Sequence, residues 1–273
     1  MRVIQGANNV DAMLKMYGAV MRAPEVEIRG QKCRNLHNMA VILDARTCPI
    51  TSFKARKLNL QYAKREWLWY LGADPKDDSI QEHASMWKKL QQPDGSFYSN
   101  YGQYMFGKDD EGHTQFSYVV KTLKADQNSR RATMMLLQRE HLFEDNVDTV
   151  CTYAINFTIE NGYLHMTVMM RSNDVIFGFT NDAFCFWQLY LFVYTVLAKT
   201  MPNLKPGEYT HFTNSMHVYD RHYAMIKQLV SETNYGYYRV DVPDVTAEEV
   251  LELLINRGKS GGGAYGEWLQ TGA

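Results

Sequence analysis

The segment that most constrains the fold is a predicted β-hairpin over residues 152–171, TYAINFTIENGYLHMTVMMR. Its centre is Asn161-Gly162, a dipeptide that favours the type I′ turn between two antiparallel strands. Apolar residues alternate with others on both sides of the turn, which is typical of strands with one buried face. With a two-residue turn, Ile159 pairs with Leu164, and the remaining pairs follow by counting away from the turn.

At the open end of this hairpin, a thiol lies beside a guanidinium. The count pairs Tyr153 with Met170 and Cys151 with Ser172, and it places Arg171 next to them. A β-bulge would change the faces that these residues occupy but not the end at which they lie. A buried cysteine is more often inert than reactive, whereas a nearby positive charge lowers the pKa of a thiol and supplies thiolate. Cys151 is therefore a candidate nucleophile, with inert packing as the alternative.

The longest apolar segment, residues 183–198, predicts a buried helix. Its sequence, AFCFWQLYLFVYTVLA, is interrupted only by Gln188. Because the segment is short for a membrane span, we expect a core helix and no membrane partner. Asp182 stands directly before this segment, where its carboxylate either caps the helix N-terminus or recognises a ligand.

Other polar residues have ordinary surface roles unless the fold brings them together. Residues 58–71 predict an amphipathic helix stopped by Gly72, which places a glutamate among tryptophans, either solvated or in a site. In MHVYDRHY, residues 217 and 219 share one face if this segment is a strand. Arginines become meaningful where their forked donors converge on an anion such as phosphate. The residues concerned are Glu66, Arg29, Arg130, Arg131, His217 and Tyr219.

Composition excludes several classes of protein. The chain has 273 residues and a net charge of −1, which suits a globular domain and argues against nucleic acid as a partner. The four cysteines have no zinc-ligand spacing, and no secretory signal pattern is visible, so we expect a cytoplasmic setting and no metal. Residues 258–273, GKSGGGAYGEWLQTGA, are rich in glycine and are predicted to form a mobile tail.

Taken in order, these features resemble the thymidylate synthase superfamily over roughly residues 29–225. The matching motifs are REWLWYL around Glu66, SNYG ending near Tyr101, SRR at 129–131, RSND starting twenty residues after Cys151, and HVY at 217–219. Within the superfamily, SNYG, MRSNDVIFGFTND and HVYDRH are most similar to the phage-type deoxycytidylate hydroxymethylases. The resemblance implies one α/β domain of thymidylate synthase-like fold over residues 1–273, with a large mixed β-sheet packed with helices around a long buried central helix. It also implies a homodimer whose subunits complete each other's active sites.

The resemblance implies a role for each candidate residue. The catalytic residues would be Cys151 as nucleophile, Glu66 for water and proton transfer, Tyr101 near the reacting carbon, and Asp182 at the base. The phosphate ligands would be Arg29, Arg171 and Ser172, joined by Arg130 and Arg131 from the partner subunit. The sugar contacts would be His217 and Tyr219. Residues at the folate site would be Trp87, Asp174 and Gly178.

Asp182 departs from thymidylate synthase itself, where an asparagine reads uracil. Uracil presents a carbonyl beside an N–H, whereas cytosine presents an amino donor beside a bare ring nitrogen. A carboxylate accepts from the amino group and can share or supply a proton at the ring nitrogen. The resemblance therefore implies dCMP as substrate, with 5,10-methylenetetrahydrofolate as cosubstrate. Val150, Thr152, Met170 and the C-terminal tail also depart from the usual pattern.

The chemistry implied by this resemblance begins with the thiolate. Carbon 5 of a pyrimidine is a poor nucleophile until a thiolate adds to carbon 6, after which carbon 5 can attack a one-carbon unit. Capture by water then gives a hydroxymethyl group, and capture by hydride gives a methyl group. Three alternatives stay open: a dCMP methylase, an enzyme for the ribonucleotide CMP, and a nucleotide- or RNA-binding protein without catalysis.

Overall fold

The structure is a computed structural model that describes residues 1–142, 146–231 and 236–271. Its strands, in chain order, are β1 Arg2–Gln5, β2 Glu25–Ile28, β3 Gln31–Asp44, β4 Thr51–Phe53, β5 Thr133–Met135, β6 Thr152–Glu160, β7 Tyr163–Met170, β8 Asn173–Asp174, β9 Lys205–Tyr219 and β10 Tyr237–Arg239. Its α-helices are α1 Asn9–Met21, α2 Leu60–Gly72, α3 Gly102–Met105, α4 Gln115–Ala125, α5 Gly178–Ala198, α6 Tyr223–Ser231, α7 Ala247–Ile255 and α8 Gly263–Gln270.

Most strands form one large mixed sheet in the order β1-β3-β9-β7-β6-β5. Strand β9 runs antiparallel to β3 and parallel to β7. The short strand β8 also pairs with β9, beyond the end of β7. His217 and Tyr219 lie at the end of β9, so the segment that contains them is a strand as expected. The large mixed sheet predicted above is confirmed.

The predicted hairpin is confirmed as strands β6 and β7. Asn161 and Gly162 form its turn with φ of 52° and 81°, and positive φ at both central positions is what a type I′ turn requires. Ile159 pairs with Leu164 as predicted. The hairpin register near the turn therefore follows from the dipeptide and the alternating pattern alone.

The pairs at the open end of the hairpin differ from the prediction because β6 contains a bulge. Thr152 pairs with Met170, and Tyr153 has no opposite residue. The predicted pairs Tyr153–Met170 and Cys151–Ser172 are therefore wrong. A bulge inserts one residue in one strand and shifts the register by one, but it leaves the same residues at the open end.

The predicted central helix is confirmed as α5, which contacts α2, α4, α7 and the sheet. It begins at Gly178 rather than near residue 183, so Asp182 is its fifth residue. Phe177 occupies the N-cap position and makes no side-chain cap. The interpretation of Asp182 as a helix cap is therefore wrong. No helix in the described part of the chain combines the length and apolar character that crossing a membrane requires.

Helix α2 begins two residues later than predicted. Its N-cap is Asn59, whose side chain accepts a hydrogen bond from the backbone N–H of Tyr62. The helix ends at Gly72, and Ala73 follows in the left-handed conformation. Glu66 is buried on this helix, with 5% of its surface exposed, so the solvated interpretation of this residue is wrong.

The glycine-rich tail is ordered in its described part, contrary to the predicted mobility. Helix α8 buries Tyr265 and Leu269 completely, and Tyr265 donates a hydrogen bond to the buried side chain of Gln188 on α5. Gly262, with φ of 84°, forms the turn before α8. Glycine therefore serves a tight turn here, and the aromatic residues after it anchor the segment. Residues 272 and 273 lie outside the described residues.

Candidate active site

Cys151 immediately precedes β6 and is held by contacts on both sides of its backbone. Its N–H donates to the hydroxyl of Tyr101 at 3.3 Å, and its carbonyl accepts from the N–H of Arg171 at 2.8 Å. Tyr101 is buried, with its ring stacked on Phe186 of α5 at 5.9 Å between centroids. The SNYG turn, the hairpin and the central helix thus fix the position of the half-buried thiol.

Arg171 also holds the loop that leads to the cysteine. Its Nε donates to the carbonyl of Val150 at 3.0 Å, and its Nη2 donates to the carbonyl of Thr149. Its Nη1 makes no hydrogen bond with any other residue that the structure describes. The half-buried guanidinium therefore orders the cysteine loop and keeps one nitrogen available for an anion. Ser172, also half-buried, follows it directly.

Burial dominates the acidity of the cysteine thiol. It raises the pKa of Cys151 to about 11, although the positive charge of Arg171 lowers that pKa. The carboxylates of Asp182 and Asp148 raise it further. The lowering by Arg171 that the sequence predicts is present, but burial outweighs it in the single chain. Asp148, held by a hydrogen bond from Ser99, is a negative group near the site that sequence reasoning missed.

Glu66 has the environment of a proton carrier. Its Oε1 accepts a hydrogen bond from the hydroxyl of Tyr70 at 3.3 Å. Its Oε2 is buried and has no hydrogen-bond partner among the described residues. Burial raises the pKa of Glu66 to about 8, and the charge of Asp182 contributes in the same direction. This carboxyl group is therefore mostly protonated at neutral pH.

Asp182 lies at the centre of the site. Its side chain is partly exposed, yet the protein surrounds it closely enough that desolvation raises its pKa to about 7. A hydrogen bond from Asn173 Nδ2 to Asp182 Oδ2, at 3.1 Å, lowers that pKa. The charge of Asp182 acts on Glu66, Cys151 and Tyr101. The four residues predicted to be catalytic are thus brought together.

A second group of predicted residues surrounds the end of β9. The rings of His217 and Tyr219 meet edge to face at 5.1 Å. Burial raises the pKa of Tyr219, the half-buried Asp174 raises it further, and Arg29 lowers it. Arg29 is exposed in the turn between β2 and β3, with φ of 51°. His217, Asp174 and Arg29 therefore all lie near Tyr219.

The structure does not bring Arg130 and Arg131 to the cysteine of their own chain. Both are exposed in the loop before β5, which is an edge strand of the sheet. Neither guanidinium forms an ion pair or hydrogen bond with another residue in the described ranges. This placement leaves both side chains free to reach another molecule.

The residues expected at the folate site differ in their surroundings. Trp87 is buried against Trp69, with ring centroids 4.9 Å apart, and its Nε1 donates to the hydroxyl of Tyr62 at 2.9 Å. At Gly178, a Cβ atom would lie 2.2 Å from Asn173 Oδ1, so this position requires glycine. The described residues contain no group of His, Cys, Asp or Glu side chains able to hold a metal ion.

Sequence reasoning missed several buried polar residues. Tyr62 and Tyr70 lie four residues before and after Glu66, so helical spacing alone places all three on one face of α2. His211 gave no signal, because a histidine within an alternating strand is ordinary. Asn173 belongs to the RSND motif, but nothing in that motif shows which neighbour its amide contacts.

Comparison with known proteins shows which family the chain resembles. The family model described as thymidylate synthase matches residues 22–255. Deoxycytidylate 5-hydroxymethyltransferase of Enterobacteria phage T4 is 30% identical over 183 residues, covering 62% of this chain and 71% of that protein. Thymidylate synthase 1 of Bacillus subtilis (strain 168) is 27% identical over 204 residues, covering 70% of each chain.

The fold comparison points the same way. A solved structure, thermostable thymidylate synthase A from Bacillus subtilis, superimposes with a TM-score of 0.67 at 20% identity, covering 85% of this chain and 86% of that one. The predicted thymidylate synthase-like fold is therefore confirmed. With a family match that extends over most of its length, the chain belongs to the thymidylate synthase family.

Proposed function

We propose that this protein transfers a one-carbon unit to carbon 5 of dCMP and lets water complete the reaction. The overall change is dCMP, 5,10-methylenetetrahydrofolate and water to 5-hydroxymethyl-dCMP and tetrahydrofolate, with no net oxidation. The observation that carries the proposal is Asp182, a partly exposed carboxyl group with a pKa of about 7 between Cys151 and Glu66. A carboxyl group with a pKa near neutral pH can supply both the hydrogen-bond acceptor and the proton that the cytosine ring requires.

The recognition of cytosine follows from how Asp182 is held. Asn173 occupies Oδ2 with a hydrogen bond, and the rest of the carboxyl group is left for the base. One oxygen accepts from the exocyclic amino group, while the proton on the carboxyl group satisfies the ring nitrogen. Uracil would instead set its carbonyl against an oxygen acceptor and leave buried polar groups mismatched.

The residues of this chain divide the chemical work. Cys151 adds to carbon 6, and its thiol loses a proton as the carbon–sulfur bond forms, because burial keeps the free thiol protonated. Arg171 fixes the loop that aims the sulfur and binds the phosphate with its remaining donors. Glu66, protonated at neutral pH, gives and takes the protons that the ring exchanges.

The polar side chains on the proposed cosubstrate side of the site fit methylenetetrahydrofolate. Asp174 offers a half-buried carboxylate to a ring with N–H donors, and the buried Oε2 of Glu66 has no hydrogen-bond partner among the described residues. This group would be held by Asp174, Gly178 and Trp87. Trp87 would form one wall of the site together with Tyr62, to which it donates a hydrogen bond. When bound, the group supplies a carbon at the oxidation level of formaldehyde.

A homodimer formed through the open face of the sheet is part of the proposal. Register places one apolar row across that face: Met135, Ala154, Met169, Phe212 and Ala40. Met135 is 50% exposed and Met169 is 37% exposed. Apolar side chains in a row on a sheet face favour a large, self-complementary contact between two copies. Such a contact would bring Arg130 and Arg131, in the loop before β5, close to the partner subunit.

The shared site predicts complementation between two inactive variants. Cys151→Ser and Arg131→Ala subunits should each be inactive or nearly so, because one lacks the nucleophile and the other a phosphate ligand. After subunit exchange, a hybrid dimer contains one intact site of its two, so about half of the wild-type activity per hybrid, and about a quarter for a random mixture, is expected. Absence of recovery, with exchange verified by mass, would show that Arg131 acts within its own chain.

The pKa of Asp182 predicts how dCMP binding depends on pH. That pKa is raised to about 7, so the protonated form that can donate to the ring nitrogen predominates below pH 7 and is lost above it. The Kd for dCMP should be nearly constant just below pH 7 and should rise by up to about tenfold per pH unit above it. Calorimetry in buffers of different ionisation enthalpy should show proton uptake on binding.

Two controls assign that pH dependence. Binding of dUMP to Asp182→Asn should lack the rise in Kd above pH 7, since the phosphate titration is shared but the carboxyl group is gone. Glu66→Gln should keep the dependence, which separates Asp182 from the other carboxyl group. A flat profile for dCMP in wild type would contradict proton sharing by Asp182.

The function itself is tested by turnover with both nucleotides. The protein should consume dCMP and methylenetetrahydrofolate and should largely ignore dUMP. The folate product should be tetrahydrofolate, with none of the ultraviolet change that accompanies dihydrofolate formation. Production of dihydrofolate from dCMP would indicate a methylase, and preference for dUMP would overturn the assignment of the base.

A further inference from the structure

We infer that Asn173 is a positioning residue that fixes which way Asp182 faces, and that His211 and Tyr209 in turn fix the amide of Asn173. Hydrogen bonds join these four side chains in one continuous chain that is buried except at Asp182. The inference rests on the proposed function for its consequence in base choice, whereas the chain of contacts is independent of any substrate.

The amide nitrogen of Asn173 contacts three acceptors. Its Nδ2 lies 3.1 Å from Asp182 Oδ2, 2.9 Å from His211 Nε2 and 3.1 Å from Met170 Sδ. An amide nitrogen carries two hydrogens, and a thioether sulfur is a weak acceptor, so the contacts with the carboxylate and the imidazole can be satisfied at once. Asn173 is 4% exposed, and His211 is fully buried. Water therefore cannot substitute easily for either partner.

His211 determines the orientation of the amide. Its Nδ1 lies 2.7 Å from the hydroxyl of the fully buried Tyr209. Burial lowers the pKa of His211 to about 3, so the imidazole is neutral and has one donor and one acceptor nitrogen. With Nδ1–H donating to Tyr209, Nε2 accepts from Asn173. A flipped amide would place its oxygen against this acceptor and against the Asp182 carboxylate.

Gly178 supplies the space that this arrangement needs. The Oδ1 of Asn173 is buried without a hydrogen-bond partner among the described residues. A Cβ atom at position 178 would lie 2.2 Å from that oxygen. The first residue of α5 therefore has to be small for the amide to occupy this position. Gly178→Ala is expected to displace the Asn173 amide and to have the same effects as Asn173→Ala.

The consequence for Asp182 is a fixed orientation of its carboxyl group. The hydrogen bond from Asn173 stabilises the ionised carboxylate and uses one lone pair of Oδ2, which leaves the remaining lone pairs of both oxygens for the base. The charge of Asp182 raises the pKa of several titratable groups on the elements packed around it. They are Tyr62, Glu66 and Tyr70 of α2, Tyr101 before α3, Cys151 before β6, Cys185 of α5 and Tyr209 of β9. His211 of β9 reaches Asp182 through Asn173.

The test measures the titration of Asp182 in ligand-free protein and the base preference in the same variants. Carboxyl-carbon NMR of aspartate-labelled protein, assigned with Asp182→Asn, reports the pKa directly. Asn173→Ala should raise the pKa of Asp182 by about one pH unit, the effect of one hydrogen bond to a charged group. It should also lower the ratio of kcat/KM for dCMP over dUMP by about tenfold or more.

A matched control separates positioning from general damage. Asn9→Ala removes another buried asparagine, the first residue of α1. The Asn9 side chain makes two hydrogen bonds with the backbone of Asp44 at the end of β3. This control should lower the melting temperature without moving the pKa of Asp182 or the base ratio. If Asn173→Ala does not fold, His211→Gln and His211→Leu serve instead. Gln keeps an acceptor and should preserve the base ratio, whereas Leu should lose it.

Each outcome bears on one claim. An unchanged or lowered pKa of Asp182 in Asn173→Ala would overturn the positioning role. A lowered pKa would mean that the Asn173 amide of the wild-type protein turns its oxygen, rather than its nitrogen, towards Asp182. If Asn173→Ala raises the pKa of Asp182 but the wild-type protein prefers dUMP, the positioning role is supported and the proposed substrate is contradicted. The two failures are therefore distinguishable.

Discussion

Replacing Asp182 with Asn is expected to move the base preference from dCMP to dUMP. The amide gains a donor for the uracil carbonyl while its oxygen accepts from the ring N–H, and it loses the proton that cytosine requires. A site built on such a polar match discriminates by roughly 10⁴-fold. Measured as kcat/KM for both nucleotides, wild type should favour dCMP by a factor of that order. The Asn variant should lose most dCMP activity and gain dUMP activity.

Two further observations make this result specific to base recognition. Asp182→Ala should lose preference for either base, because it offers neither donor nor acceptor. The melting temperature of Asp182→Asn should change little, since Asp182 is the fifth residue of α5 and does not cap it. An Asn variant that keeps the wild-type preference for dCMP would show that Asp182 does not read the base.

Replacing Cys151 with Ser is expected to abolish turnover and the release of tritium from carbon 5 of dCMP. A serine hydroxyl in the same place is far less acidic and less nucleophilic than the thiol, so a loss of roughly 10⁴-fold or more is expected. Binding of dCMP, measured by calorimetry, should survive, because Arg171 and its contacts are untouched. Activity above a few per cent of wild type would contradict covalent catalysis.

The other cysteines supply controls for that experiment. Cys48 is buried, and burial raises the pKa of its thiol to about 12; Cys33 is buried on β3. Their replacement by Ala should cost little activity. Cys185 is a less clean control because it lies on α5 within electrostatic reach of Glu66 and Asp182.

Local sequence signals were sufficient for the elements that carry the site. The Asn161-Gly162 turn and the alternation around it gave the hairpin, and a long apolar segment gave the central helix. Both signals depend on periodicity and turn chemistry that neighbouring residues determine among themselves. Helical spacing would also have identified the tyrosines on either side of Glu66.

Features that depend on tertiary packing could not be read in this way. The bulge at Tyr153 and the start of α5 at Gly178, which packs closely against Asn173, leave no mark in the local pattern of residues. Helix α8 forms because Tyr265 reaches Gln188 on a distant segment, whereas its glycine content alone indicates flexibility. The thiol pKa also depends on burial, which outweighs the adjacent arginine that the sequence made visible.

The most direct test of the central claim is the mass of the nucleotide product. The purified protein is incubated with dCMP and 5,10-methylenetetrahydrofolate, and the nucleotide is analysed by mass spectrometry, with isotopically labelled water in a parallel reaction. Our account predicts a gain of CH₂O, with the oxygen of the new group derived from water. A gain of CH₂ would show hydride capture, and no change in dCMP under conditions that convert dUMP would contradict the proposed substrate.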